Sequence, residues 1–256
     1  MKQVPEVLTT VAHQYPPGMV AEQVRDIPRN AYHIGLAVAA VMPKRHTELA
    51  LCDLGGGIGS FSIGCAAYGW KRVVLVDDFD DSVNHKVGAS ILDLHRKAGV
   101  EVIARDVVTS GIADITGTFD IITTFDSMEH WHRSPKRLFA EVVEKLNPGG
   151  VFVLGVPNCV NLRKRLTVPL GFGKWSAMQT WYEAETFRGH VREPDVSDLR
   201  YIARDMGLTN LTITGRNWAG YDSRHSIVRL ATAIVDYPLR VFPSLCSTIY
   251  LVGRRS

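Results

Sequence analysis

The chain has 256 residues, 46% hydrophobic and 21% charged, with 22 Gly, 12 Pro and a formal net charge of +3. This ordinary globular composition excludes disorder, collagen and coiled coil. The most apolar run, Ile34 to Met42, falls well short of the roughly 20 residues that cross a bilayer. Met1-Lys2-Gln3 lacks a signal-peptide pattern, so a soluble, cytoplasmic protein without stable membrane insertion is expected. Cys52, Cys65, Cys159 and Cys246 form no C-x-x-C pair and read as buried thiols in a reducing compartment. Met1 to Cys159 carries 15 basic and 18 acidic residues, whereas Val160 to Ser256 carries 14 and 8. Basic residues cluster only at Arg163-Lys164-Arg165, and nucleic acid is not an expected partner.

Ahead of the regular pattern, Met19 to Met42 reads as one or two helices within an N-terminal cap, residues 1–48. Short apolar runs then alternate with helical periods, as in βαβ units of a parallel sheet. Leu49 to Leu54 is a first strand, followed by Gly55-Gly56-Gly57-Ile58-Gly59 and a helix to Tyr68. Arg72 to Val76 is a second strand, ending in the acidic stretch Asp77-Asp78-Phe79-Asp80-Asp81. A helix over Ser82 to Lys97, strands over Glu101 to Ala104 and Phe119 to Thr124, and a helix over Pro135 to Leu146 follow. Asn147-Pro148-Gly149-Gly150 reads as that helix's stop, and Val151 to Val156 as a fifth strand. The rhythm breaks over residues 157–190, an insertion holding Trp175, Trp181, Tyr182 and Phe187. A helix over Asp195 to Met206, a strand near Leu211 to Thr214, a helix over Ser226 to Val241 and a strand over Cys246 to Val252 complete the chain. The expected fold is α/β, a doubly wound, seven-stranded, mostly parallel sheet, formed by residues 49–256 with the insertion after strand 5. The segment Ser226 to Leu245 can lie on a membrane surface or make a homodimer contact, but a core-packed helix is the expected arrangement.

The segment Leu51-Cys52-Asp53-Leu54-Gly55-Gly56-Gly57-Ile58-Gly59-Ser60 carries the chemistry. A strand running into closely spaced glycines and then a helix lets backbone amides approach a ligand. The dinucleotide fingerprint G-x-G-x-x-G does not fit, since Gly55, Gly57 and Gly59 are two apart and Ser60 occupies the third position. No Walker lysine and no G-x-S-x-G elbow is present. A carboxylate at the tip of the second strand, Asp77, is placed to accept both ribose hydroxyl protons of a nucleoside cofactor.

These residues resemble the class I S-adenosylmethionine-dependent methyltransferases, whose first motif is an acid followed by G-x-G-x-G. Val73-Val74-Leu75-Val76-Asp77 is similar to the second motif, and Arg105-Asp106-Val107 lies where the family contacts the adenine amino group. Phe119 to His130 resembles the fourth-strand motif, and Leu146-Asn147-Pro148-Gly149-Gly150 with Pro157-Asn158 resembles the L-x-P-G-G and P-N signature. The order of these elements is similar to a subgroup with ubiquinone-pathway O-methyltransferases and enzymes modifying glycans and lipids. The resemblance implies a Rossmann-like methyltransferase with S-adenosyl-L-methionine as cofactor, bound by Asp53, Gly55, Gly57, Asp77, Asp106 and Asp126. It implies methyl transfer to a small-molecule, saccharide or lipid-linked acceptor, at oxygen.

An oxygen nucleophile needs its proton removed, and His130, just past the fourth strand, or His190, at the end of the insertion, is the candidate base. Glu129 and Asp126 offer an alternative use in a divalent-ion site, as suggested for ubiquinone-pathway relatives, but two carboxylates and one histidine are a weak metal pattern. No metal site is expected. The insertion and the N-terminal helices are expected to close over the acceptor, with simple packing of the aromatics as the competing arrangement. The alternative functions are an NAD(P)-dependent oxidoreductase, opposed by the glycine spacing, and a catalytically silent methyltransferase-like subunit that binds a partner protein.

Overall fold

In the computed structural model the described residues are 3–79, 82–173 and 176–256, with side chains described outside 81–89. Asp80, Asp81 and Trp175 lie outside the described residues. The elements run α1 (Val4–Ala12), α2 (Pro17–Arg25), α3 (Ile27–Val41), β1 (Ala50–Leu54), α4 (Ser60–Tyr68), β2 (Arg72–Asp77), α5 (Ser82–Lys97), β3 (Val100–Ala104), α6 (Val107–Ser110), β4 (Phe119–Phe125) and α7 (Lys136–Lys145). They continue with β5 (Leu146–Pro157), α8 (Leu162–Thr167), α9 (Met178–Tyr182), α10 (Val196–Asp205), β6 (Thr209–Arg216), α11 (Trp218–Tyr221), α12 (Ser226–Leu239) and β7 (Thr248–Arg254). The seven strands form one mixed, mostly parallel sheet in the order β3-β2-β1-β4-β5-β7-β6, with helices on both sides. The chain order reverses between β1 and β4, the crevice where open α/β sheets hold ligands.

The chain divides into two compact units: Met1–Phe125 with Arg133–Val153 and Arg254–Ser256, and Asp126–His132 with Leu154–Gly253. The N-terminal helices fall in the first unit. Leu8 of α1 and Ile34 of α3 are fully buried and lie so close to Gly64 of α4 that a Cβ there would come within 2.9 Å of Ile34 Cδ1. These helices are thus packed on the helix that follows the glycine loop. Among the described residues they number three: α2 and α3 cover most of the expected Met19–Met42 span, and α1 lies ahead of it. Of the four cysteines, Cys159 is half-buried rather than buried; the other three lie in the interior as expected.

Parallel pairing sets the site's register: Asp53 of β1 lies opposite Thr123 of β4 and Leu75 of β2. β5 begins at Leu146, ahead of its expected start at Val151. The supposed helix stop is its first part, where Gly149 takes φ 72 and its N–H donates to Arg255 O, while Arg255 N–H donates back to Gly150 O.

The second unit contains β6 and most of β7, with α8 to α12. Among its described residues the insertion forms short helices, and Trp181 and Tyr182 are exposed, so packing does not account for these two aromatics. Asn158 is fully buried: its side-chain amide donates to Ser244 O and Cys246 O, both at 2.9 Å, which fixes where the insertion leaves β5. The expected core-packed helix, α12, is turned the other way. It buries Thr232 and Asp236 while exposing Ile227, Leu230, Ile234 and Tyr237. Among the described residues no helix is long and apolar enough to cross a membrane.

Candidate active site

In the first unit, β1 delivers the chain into the glycine loop. Gly55 and Gly57 have φ 67 and 59, values that L side chains rarely adopt. Gly55 N–H donates to Val76 O at 2.8 Å, which ties the loop to β2. Asp53 is buried beneath the loop, its Oδ2 accepting from Ser62 at 2.8 Å and its Oδ1 from Thr123 at 2.8 Å. Burial raises its carboxyl to about 6, although the two hydroxyl bonds oppose the shift. A Cβ on Gly56 would overlap Asp53 Oδ2 and stand 2.8 Å from both Asp53 Cγ and Leu75 Cδ1. Asp53 is therefore the prop that shapes the loop, and Gly56, absent from the expected set, is the residue its position requires.

Asp77, at the end of β2, accepts from Gly57 N–H through Oδ2 at 2.9 Å and from Phe79 N–H through Oδ1 at 2.7 Å. Burial raises its pKa against these bonds. These two backbone bonds fix the carboxylate, whose oxygens carry two lone pairs each and can accept more than one bond. At Gly57 nothing lies within 4 Å of where a Cβ would stand. A fixed acid beside an open, glycine-lined backbone fits a nucleoside cofactor. Asp106 is the N-cap of α6: its Oδ1 accepts from Val108 N–H at 2.9 Å and Thr109 N–H at 3.2 Å. Burial acts to raise its carboxyl, but the bonds from Thr109 and Val108 outweigh it and hold the pKa below the usual range.

Three contacts around this loop escape the sequence pattern. Tyr15 Oη donates to Ile58 O at 3.0 Å, and Asn30 Nδ2 donates to Ser60 Oγ at 3.0 Å. His33, buried, stacks on Phe125 at 4.1 Å, and burial lowers its pKa to about 3, assisted by Arg29. Each partner lies at least 30 residues along the chain, beyond the reach of local spacing.

The second unit holds the remaining candidates. Asp126, directly after β4, has φ 49, and its N–H donates to Gly155 O at 2.9 Å. Glu129 is buried, and its carbonyl accepts from Val191 N–H at 2.7 Å, which brings the end of the insertion to the loop after β4. His130 and His190 are thereby joined, ring centroids 4.9 Å apart and edge to face. Each presents Nε2 at 4.0 Å from Glu129 Oε1. Their other nitrogens are committed: His130 Nδ1 bonds Arg188 O at 2.8 Å, and His190 Nδ1 bonds Glu193 Oε1 at 2.7 Å.

Because a carbonyl only accepts, His130 Nδ1 must carry the proton and the neutral ring keeps its lone pair on Nε2. Burial lowers the His130 pKa, favouring that neutral form. For Glu193, burial acts upward, but bonds from His190 and Lys164 hold it at about 2, so it accepts from His190 Nδ1. Burial, with Asp126 nearby, raises Glu129 to about 9. Glu129, His130 and His190 offer ligand atoms within 4.8 Å of one another, a set able to hold a divalent ion; Asp126 is not among them. Glu193 and Lys164 are not legible as participants in the sequence, because their roles depend on the meeting of His130 with the end of the insertion, where its partner Arg188 lies 58 residues along the chain.

A family model described as "Methyltransferase domain" matches residues 25–213. No curated protein sequence matches the chain. Among solved structures, magnesium protoporphyrin IX methyltransferase from Synechocystis PCC 6803, with bound S-adenosylhomocysteine, is similar with TM-score 0.56 at 16% identity, covering 91% of this chain and 85% of that one. A possible histamine N-methyltransferase from Thermotoga maritima gives TM-score 0.53 at 13% identity, covering 99% and 100%. A methyltransferase from Mesorhizobium loti gives 0.53 at 18%, covering 90% and 98%. The glycine loop on its buried acid, the strand-tip Asp77, the sheet order and the family match lead to one conclusion: the chain belongs to the class I S-adenosylmethionine-dependent methyltransferases, with S-adenosyl-L-methionine as cofactor.

Proposed function

We propose that the protein methylates a hydroxyl oxygen of a small-molecule, saccharide or lipid-linked acceptor, and that His130 is the base. When bound, the cofactor supplies an electrophilic methyl group on a sulfonium. Asp77 is the proposed ribose ligand, Gly55 and Gly57 hold the cofactor by their backbone, and Asp53 acts on it through that loop. Asp106 and Asp126 complete the proposed cofactor set, and the insertion, residues 157–190, is the proposed acceptor-binding part. With cofactor and acceptor in place, Nε2 of His130 would take the hydroxyl proton that the acceptor oxygen gives up on methylation. The observation that carries this reading is the pair of imidazoles whose Nδ1 atoms are both engaged, leaving both Nε2 atoms turned to one place. Fixing the tautomer this way orients a general base. His190, whose Nε2 lies at the same distance from Glu129 Oε1, is the second candidate base and supports His130.

The test is methyl transfer from labelled cofactor into an extract, followed by identification of the product and assay of variants. His130→Gln should lower kcat by about 100-fold with cofactor affinity unchanged, within the range for general base catalysis. The kcat profile should lose its lower pH limb. A product methylated on nitrogen would overturn the acceptor class. An unchanged His130→Gln profile would remove the base. Tight cofactor binding without turnover of any acceptor would favour a silent, partner-binding subunit. Activity abolished by a chelator and restored by a divalent ion would instead make Glu129, His130 and His190 its ligands.

A further inference from the structure

Helix α12 of the second unit presents apolar side chains to solvent in register. Ile227, Leu230, Ile234, Tyr237 and, just past the helix end, Val241 are 65% to 79% exposed and recur three or four residues apart along one stripe. The opposite side is polar and held in place: Asp236 accepts from Asn217 Nδ2 at 2.8 Å and from Tyr221 Oη at 3.2 Å, and pairs with Arg240. Thr232 Oγ1 donates to Val228 O at 2.7 Å. The helix cannot turn its stripe inward without unpairing Asp236, which is 2% exposed.

Where the stripe ends, a cavity of about 630 Å³ opens, lined by Arg200, Arg204 and Arg240 together with Leu211, Ile213 and Phe242. Two exposed arginines, Arg200 and Arg204, with Arg240, whose guanidinium pairs with Asp236, line an opening with an apolar rim, a lining that suits a phosphate attached to hydrocarbon. The neighbouring insertion has the same character. Arg165 donates to Ser244 O at 3.4 Å on the cavity wall, and Leu166, Leu170 and Phe172 beyond it are 63% to 72% exposed. Residues 160–182 contain four basic residues and no acid, and residues 223–245 contain three arginines and one acid, the buried Asp236.

We propose that this face docks the protein on an anionic lipid surface, α12 lying in the interface plane with its apolar stripe in the acyl boundary and a lipid phosphate in the Arg200–Arg204–Arg240 cavity. An amphipathic helix with cationic flanks binds such a surface by apolar burial and by attraction to anionic headgroups together. A second copy is a poorer occupant, because an isologous pairing would set this arginine-rich face against itself. The docking concerns where the protein sits and does not rest on the identity of the acceptor.

The experiment is co-sedimentation of the full chain with vesicles of phosphatidylcholine alone and of phosphatidylcholine with phosphatidylglycerol. Binding should require the anionic lipid and weaken with salt. The apolar arm is the double variant Ile227→Asp with Ile234→Asp, which should reduce partitioning at least about tenfold. The cationic arm, Arg200→Glu with Arg204→Glu, should reduce it by a similar factor. All four positions are exposed, so melting curves should match the parent and exclude misfolding. Failure of the parent to bind anionic vesicles, or binding that survives either pair of substitutions, overturns the proposal. So does a parent dimer in ultracentrifugation that the aspartate pair dissociates while vesicle binding persists.

Discussion

Two of the buried carboxylates, Asp53 in the first unit and Glu129 in the second, face the same burial and meet it differently. Asp53 has each oxygen bonded to a hydroxyl, and its pKa stops at about 6. Glu129 Oε2 has no hydrogen-bond partner among the described residues, Asp126 and Glu193 add negative charge, and its pKa reaches about 9. The first carboxylate is a finished structural part that shapes a loop. The second stores unmet bonding capacity beside two imidazoles, which is the condition of a site that acts on something else.

The largest effect should come from closing the space above Asp53. Gly56→Ala puts a methyl group onto a carboxylate that cannot swing away, because Ser62 and Thr123 hold both oxygens. Overpacking of this kind should cost about 3 kcal/mol in stability and weaken cofactor binding by a similar amount. Denaturant unfolding and calorimetry with S-adenosylhomocysteine check the two quantities; an alanine variant with parent affinity would show that the loop's shape does not depend on Asp53.

A smaller effect of opposite sign is expected at Glu129. Its folded pKa is raised, so its contribution to stability is full below the ordinary value of 4.5 and is lost as pH rises through about 9. Glu129→Gln removes that loss and should stabilise the protein by on the order of 2 kcal/mol at neutral pH, with the gain shrinking toward acid. Melting temperatures across pH measure it. A gain independent of pH would mean that the carboxyl is already ionised and paired in the folded protein.

The same contrast explains what is legible in the sequence. The glycine loop and Asp77 lie within one strand-loop-helix-strand unit, where local spacing carries the geometry. The partnership of Asp53 with Thr123 depends on the β1–β4 register, 70 residues apart, so the sequence locates the acid but not its partners. His130 and His190 are both marked by their places at strand and insertion ends, yet what brings them together is long-range bonding: Val191 N–H to Glu129 O and His130 Nδ1 to Arg188 O. The period of α12 is plain in the sequence, but its direction is not. Hydrophobic periodicity finds a face without saying what covers it, and here Asp236 and Thr232 claim the interior.

The smallest effect is expected in acid, at a buried base. His33 lies against Phe125 with its pKa lowered from 6.5 to about 3, the mirror image of Glu129: a base kept neutral rather than an acid. A lowered folded pKa means that stability is full above 6.5 and is lost as pH falls toward 3. His33→Phe keeps the ring stack with Phe125 and removes the proton-binding site. Relative to the parent it should gain roughly 1 kcal/mol between neutral pH and about pH 5.5. Because Glu129 makes the second unit more stable in acid while His33 makes the first less so, the double variant His33→Phe, Glu129→Gln should have a flatter stability profile than the parent or either single variant. A parent-like acid slope in the single His33 variant would assign the acid sensitivity to other groups.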